Sequence, residues 1–316
     1  MAAAHVILKS TSNLPAIHGR VRPQESQCGS KCVWGIKAGP VAIGRLEQYV
    51  EEWGMVHAEE LRKAEAMPAN GKKVAVVGSG PAGLTCAGDL AALGYDLDLT
   101  IATDYVIENP ATAAGDVMAN FFQHLPYLAQ YNGSVSEAEQ LVPVIYTHFE
   151  PMAIYAGTKT SLDDLADGDK IAIPNDPVNE NRALLLLQDA GLIKLPEGTS
   201  LESTCTPLDV VENPKNLELV ELNAELITGA RSDVAYAVIN GNYATLEKLV
   251  PNVDGLYVEA ADSQAAQSYV NVVVVKPENA EADWVKALEK VIYTQKVYDL
   301  IVASGFAPTF TPADAQ

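Results

Sequence analysis

Lys170-Ile171-Ala172-Ile173-Pro174-Asn175-Asp176-Pro177-Val178-Asn179-Glu180-Asn181-Arg182-Ala183-Leu184-Leu185-Leu186-Leu187-Gln188-Asp189-Ala190-Gly191 reads as a strand, a turn and a helix in succession. Lys170–Ile173 is a short apolar run of strand length. Pro174, Asn175, Asp176 and Pro177 cluster as turn residues. A helix is expected after Asn179, through Ala183–Ala190, ended by Gly191, because glycine adopts the left-handed conformation that closes helices. Outward from this unit the alternation continues. Strands are expected at Val142–Tyr146, Met152–Ala156, Leu217–Glu221, Ala235–Ile239 and Val270–Val275, and a helix over Ala280–Val297. Toward the N-terminus, Lys73–Gly78 reads as a buried strand, Pro81–Leu93 as a helix closed by Gly94, and Leu97–Ala102 as another strand. Strands alternating with helices predict an α/β protein with parallel sheets flanked by helices.

Charge divides the chain of 316 residues, long enough for about two or three compact units. Residues 1–73 hold 10 Lys/Arg and 7 Asp/Glu; the remainder holds 11 and 34. So abrupt a shift marks joined segments, and Met67-Pro68-Ala69-Asn70-Gly71 is a turn-rich linker between them. The net charge of −20 argues against a nucleic-acid partner, which needs a basic face, and against docking on anionic lipid. No apolar run reaches the roughly 18 residues of a bilayer span. Four cysteines, Cys28, Cys32, Cys86 and Cys205, do not make a disulfide scaffold. Met1–Ser10 has neither a secretion signal nor a lipid-attachment cysteine, so the chain as written is expected in the cytoplasm. No Ser–His–acid pattern, zinc spacing or carboxylate pair stands out, and no catalytic residue is assigned.

Several residues carry binding chemistry, each beside a structural alternative. Arg182 near a helix start suits a carboxylate through paired hydrogen bonds, or is an exposed helix arginine in a surface ion pair. Phe121, Phe122, His124 and Tyr127 cluster on one short element. Aromatic walls suit a thioether; alternatively the phenylalanines and histidine are core. Asn240 and Asn242 flank Gly241, offering amides to a ligand's ammonium and carboxylate or serving as turn residues. Gly78-Ser79-Gly80-Pro81-Ala82-Gly83 places Gly78, Gly80 and Gly83 between a strand and a helix. That spacing lets backbone approach a pyrophosphate, or is a structural turn. Before the linker, Leu46, Tyr49, Val50 and Trp53 recur at helical spacing.

Asn13–Tyr95 resembles part of the small subunit of NADPH-dependent glutamate synthase and its relatives. The matching runs are Asn13-Leu14-Pro15-Ala16-Ile17, Gly19-Arg20-Val21, Pro23-Gln24-Glu25, Cys28, Lys31-Cys32-Val33 and Pro40-Val41-Ala42-Ile43-Gly44-Arg45-Leu46-Glu47. The resemblance implies an iron–sulfur helical region followed by an FAD-binding strand and helix, and so an oxidoreductase as the competing function. The chain departs from the pattern where it matters. His18 and Arg22 stand at cysteine positions, leaving Cys28 and Cys32, and arginine does not give up its proton to become a ligand. Ala102 and Thr103 stand where the acid for the ribose is expected. The expectation is therefore no cofactor, neither FAD nor cluster, and no metal.

Leu97–Gln316 resembles the substrate-binding lipoproteins of methionine ABC importers. The matching motifs are Thr103-Asp104-Tyr105-Val106, Ala119–Leu128, Glu150-Pro151-Met152, Ile173-Pro174-Asn175-Asp176-Pro177 with Asn179 and Arg182, Glu212–Leu217 and Ala237–Ala244. The resemblance implies a two-lobed, periplasmic-binding-protein-like fold of type II with a small N-terminal helical appendage. Residues 1–70 would be the appendage, 71–153 plus 266–316 one lobe, and 154–265 the other. It implies methionine or a similar amino acid as ligand and an ABC transporter membrane subunit as partner. It carries ligand contacts onto Tyr105, Phe121, Phe122, His124, Tyr127, Asn179, Arg182, Asn240 and Asn242. The family is membrane-anchored outside the cytoplasm.

The cysteine substitutions predict that anaerobic reconstitution with iron and sulfide leaves the protein colourless. Iron analysis returning about four irons per chain, the content of a complete cube, would overturn this.

Overall fold

The computed structural model describes residues 49–50, 73–77, 96–100, 102 and 104–312, with the backbone alone for 73–77 and 96–100. The chain divides into two units, Met1–Asn70 with Ala91–Gly94, and Gly71–Leu90 with Tyr95–Gln316. Tyr49 and Val50 of the first unit are helical. His18, Cys28, Cys32, the loop Gly78–Gly83 and the expected helix Pro81–Leu93 lie outside the described residues.

The second unit is built on strands β1 (Lys73–Val77), β2 (Asp96–Thr100), β3 (Ala119–His124), β4 (Val142–Phe149), β5 (Ala153–Ala156), β6 (Lys170–Pro174), β7 (Glu218–Leu222), β8 (Tyr236–Ile239), β9 (Gly255–Val258), β10 (Val270–Val275) and β11 (Ala307–Pro308). Its helices are α1 (Glu108–Ala114), α2 (Leu125–Ser134), α3 (Pro177–Asp189), α4 (Ala224–Ala230), α5 (Gly241–Leu246), α6 (Pro251–Asp254), α7 (Gln264–Ser268), α8 (Asp283–Ile292) and α9 (Gln295–Ala303). One lobe carries a sheet in the order β11-β4-β10-β3, the other a sheet in the order β7-β6-β8-β5-β9. β1 pairs with β2 in parallel and lies alongside β3. This is the two-lobed type II arrangement. Among the described residues no helix is long and apolar enough to cross a membrane.

The sheets correct the expectation of parallel pairing throughout. β6 runs parallel to β7 and β8, but β10 is antiparallel to β3 and β4, and β5 to β8 and β9. The chain passes between the sheets twice, after β4 and after β9. A strand that arrives from the other lobe is free of the crossover rule that makes helix-linked neighbours parallel.

Helix boundaries also shift for local reasons. α3 begins at Pro177, earlier than its apolar face suggests. Asp176 caps it by accepting from the Asn179 backbone N–H at 3.0 Å, and proline suits the first helical position. The expected helix Ala280–Val297 is two helices, because Thr294 stops one and caps the next, accepting from Val297 N. Each lobe has its own core. Trp284, Leu288, Val291, Val297 and Ile301 of α8 and α9 pack with Ile145, Val273 and Val275. α3 covers one face of the five-stranded sheet through Leu184 and Leu187 against Ile171 and Ile173. Ile227 and Ala244 of α4 and α5 cover the other face, against Ala172 and Ile239.

Gly157 closes β5 against its neighbour. A Cβ there would meet the carbonyl oxygens of Val234, Arg231 (2.7 Å) and Ala235 (2.9 Å). Gly157→Ala should therefore cost about 1–3 kcal/mol by overpacking. Gly133→Ala, in open space on α2, should be neutral or gain roughly 0.5–1 kcal/mol. Urea midpoints compare the two, and equal midpoints would refute the close-approach account.

Candidate functional site

A cavity between the two lobes holds, with its mouth, about 340 Å³ of empty space. Tyr105, Phe122, His124, Tyr127, Asn179, Arg182, Asn240 and Asn242 all line it. Phe121 does not; it packs on the core of the four-stranded lobe, edge-on to His148 with centroids 5.9 Å apart. The separation of the two phenylalanines has a backbone cause. Along the β3–β10 ladder Gln123 opposes Val272 and Asn120 opposes Val274, so Phe121 and Phe122 together face Val273. Such a bulge breaks strict alternation and re-aims side chains. Phe122, Gln123 and His124 consequently all reach the cavity. Gln123 is tied behind it to Asn109 and Asn120, and Asn120 to Thr112.

The apolar wall is aromatic. Tyr105 lies 5.8 Å from Phe122 and 5.9 Å from Tyr127, centroid to centroid. Tyr127 donates its hydroxyl to the Tyr105 carbonyl at 3.0 Å. Tyr105 also reaches the other lobe, donating to Asn242 Oδ1 at 2.6 Å and packing 5.0 Å from Tyr243. Burial holds the Tyr105 hydroxyl protonated, with its pKa well above the ordinary 10.0.

His124 caps α2. Its Nδ1 accepts from the Tyr127 backbone N–H at 3.3 Å, so the proton of the neutral ring sits on Nε2, which donates to Asn179 Oδ1 at 3.1 Å. Burial first, and the Arg182 cation second, lower its pKa from the ordinary 6.5 to about 3. Asn179 also accepts from Asn240 Nδ2 at 2.9 Å and donates to both Asp176 oxygens. Asn240 Oδ1 is buried without a hydrogen-bond partner among the described residues.

Arg182 is 3% exposed, which rules out the surface alternative. Its Nε and Nη2 donate to Glu259 Oε1 and Oε2 at 2.8 and 2.5 Å, and Nη2 to the Glu150 carbonyl at 2.8 Å. The guanidinium lies 4.2 Å from the Tyr269 ring centroid and 5.5 Å from that of Phe149. Burial, the largest single influence, acts to lower its pKa, but the charge and hydrogen bonds of Glu259, with Tyr269 and Glu150, together raise it above the ordinary 12.5. Nη1 has no hydrogen bond among the described residues. The sequence reading missed Gln123, Glu150 and Asn271 in the lining, and Glu259 and Tyr269 behind Arg182. Gln123 lay inside the aromatic cluster and Glu150 inside a quoted motif, but spacing alone gave no reason to choose either. Among the described residues no group of three or more His, Cys, Asp or Glu is placed to hold a metal ion.

A family model described as NlpA lipoprotein matches residues 74–313. The chain belongs to the NlpA lipoprotein family. A second model, for dihydropyrimidine dehydrogenase domain II, 4Fe-4S cluster, matches residues 1–59. The D-methionine-binding lipoprotein MetQ of Salmonella typhi is 44% identical over 208 residues, 65% of this chain and 74% of that protein. The same figures hold for MetQ of Escherichia coli K12. A nutrient binding protein from Burkholderia cenocepacia, solved bound to methionine, is similar in structure. Its TM-score is 0.69 at 36% identity, over 76% of this chain and all 100% of that one.

His124 gives the site a pH signature. Its folded pKa is depressed below the unfolded one, so its contribution to stability is complete above about pH 6.5 and is lost as pH falls from there toward 3. His124→Gln should flatten the wild-type loss of stability over that window by up to about 1.4 kcal/mol per pH unit. Urea titrations from pH 7 to 4 measure it, and parallel profiles for the two proteins would refute it.

Proposed function

We propose that the chain binds a free amino acid, methionine, in the cavity between its lobes, as the ligand-capturing component of an ABC importer that passes its cargo to a membrane subunit. The observation that carries this is the pairing of an aromatic wall with a buried guanidinium in one cavity. Tyr105, Phe122 and Tyr127 form a surface against which a thioether sulfur packs well at the ring edges. Arg182 Nη1 meets the ligand carboxylate, and its fixed geometry favours a carboxylate over a point charge. The unpaired Asn240 Oδ1 takes a donor from the ligand, which relieves the cost of a buried acceptor. The names of the relatives support the same ligand.

The cycle consists of capture, closure and release, with no chemical step. Tyr105–Asn242 and His124–Asn179 join the lobes in the closed form, and ligand adds to the interactions that favour it. We read the 1–59 match as a segment of iron–sulfur descent that holds no cluster, because His18 and Arg22 replace two cysteines.

Calorimetric titration with L- and D-methionine should give saturable binding of at least one enantiomer. Ligand at about 100 times Kd should add about 2.7 kcal/mol of stability. Arg182→Ala should weaken binding by about 2–5 kcal/mol. Arg231→Ala, which removes a donor to the Ala156 carbonyl, should leave binding unchanged. No heat and no melting shift at millimolar methionine would overturn the assignment.

A further inference from the structure

We propose that Glu108 couples closure of the two lobes to the uptake of a proton, and so strengthens ligand capture as the medium turns acid. This regulates the cavity from outside its lining and rests on the amino-acid reading of it. Glu108 opens α1, whose preceding residue, Ile107, supplies no side-chain cap. A carboxylate in the first turn of a helix is stabilised by the helix dipole, but an acid is rarely enclosed unless it is paired. Glu108 is 4% exposed, and its Oε2 is buried without a hydrogen-bond partner among the described residues. Ionising an oxygen so placed is costly, and keeping the proton avoids the cost. Burial, helped by the charge of Asp104, accordingly raises the Glu108 pKa from 4.5 to about 7.

The neighbours of Glu108 bring no compensating charge. β3 offers Asn120 and Gln123, neutral amides bonded to each other, to Asn109 and to Thr112. The one-turn helix Glu137–Glu139, which packs against α1, carries only acids, and Glu139 is bonded to Ser136 at 2.6 Å. From α2 and α5 come the hydroxyls of Tyr127 and Tyr243, and the Glu108 charge acts on both to hold their protons. Among the described residues no cation acts on Glu108; only the backbone at Ile107 and Glu108 favours its charged form.

Tyr243 belongs to the opposite lobe. Its ring lies 5.0 Å from that of Tyr105, three residues before Glu108, and Tyr105 crosses to Asn242 at 2.6 Å. Glu108 therefore stands beside a contact that exists only when the lobes are closed. Opening withdraws α5 and readmits water, so the open form ionises Glu108 at a lower pH than the closed form. Between those two pH values closure takes up a proton, and a ligand that favours closure binds more tightly on the acid side. The effect ends above about pH 7, where both forms are ionised, and below about pH 4.5, where both are protonated. His124 acts with the opposite sign, because the closed form disfavours its proton.

Because His124 contributes in the same range, the test is a difference between two proteins. Methionine is titrated by calorimetry into the full chain at pH 6, in two buffers of different ionisation enthalpy, which counts the protons taken up per ligand. The wild type should take up about half a proton or more beyond Glu108→Gln, whose amide stands in for the protonated acid. The variant should bind about 3-fold or more tightly than wild type at pH 7.5, with the two affinities converging toward pH 4. Glu108→Ala, which also removes the acid, serves if the glutamine variant does not fold. Equal proton counts overturn the inference, as does an affinity ratio that is the same at every pH, the mark of a purely structural residue. Wild type that binds no methionine removes the amino-acid reading instead, and Glu108 is then judged without ligand. An acid whose folded pKa is raised destabilises the fold above that pKa and not below its unfolded one. Urea midpoints of Glu108→Gln should therefore exceed wild type at pH 7.5 and meet it near pH 4. Midpoints that differ by the same amount throughout would overturn the assignment.

Discussion

The ion pair between Arg182 and Glu259 is the interaction on which the second unit depends. Both side chains are largely buried, 3% and 8% exposed; Glu259 follows β9 where the chain passes between lobes, and Arg182 reaches from α3 to the first passage. Arg182 takes the carbonyl of Glu150, and Glu259 Oε2 takes the backbone N–H of Met152 at 2.8 Å. The residues between β4 and β5 are thus held from α3 and from the end of β9 together. Burying two charges costs several kcal/mol for each ion, and a pair in good geometry offsets this only when its other hydrogen bonds are made. Here Tyr269 and Phe149 cover the guanidinium, and two backbone groups complete the set. The same cation anchors the chain between β4 and β5 and lines the cavity between the lobes.

The cavity follows from small departures in otherwise ordinary elements. The bulge opposite Val273 sends Phe121 into the core and Phe122 to the cavity. The proline start of α3 sets Asn179 in the first turn, where it touches both lobes. Neither feature needs unusual residues. A regular ladder or a helix starting later would have moved these groups off the wall.

Much of this was legible in the sequence. Apolar runs between turn residues located β6, β8 and β10, because buried strands need continuous hydrophobic faces. Motif resemblance carried eight of the nine proposed contacts to the cavity lining. Phe121 failed because a bulge is a property of the pairing between two strands and leaves no mark on one of them. Glu259 and Tyr269 failed for a similar reason, since they meet Arg182 only after the second passage between lobes. Sheet direction was misread because alternation of strands and helices says nothing of which sheet a strand joins.

The His124 tautomer has a consequence beyond its own ring. An asparagine amide is nearly symmetric in shape, and two of them in contact leave open which atom makes which hydrogen bond. Here the choice is handed along the chain of contacts. The Tyr127 amide occupies one imidazole nitrogen, the other must donate, and Asn179 must answer with oxygen. Asp176, able only to accept, demands nitrogen from the same amide and agrees. Asn240 then spends its nitrogen on that oxygen, and its own oxygen is left buried without a hydrogen-bond partner among the described residues. Which end of the Asn240 amide is left over, acceptor rather than donor, is thus inherited from one backbone N–H at the start of a helix in the opposite lobe.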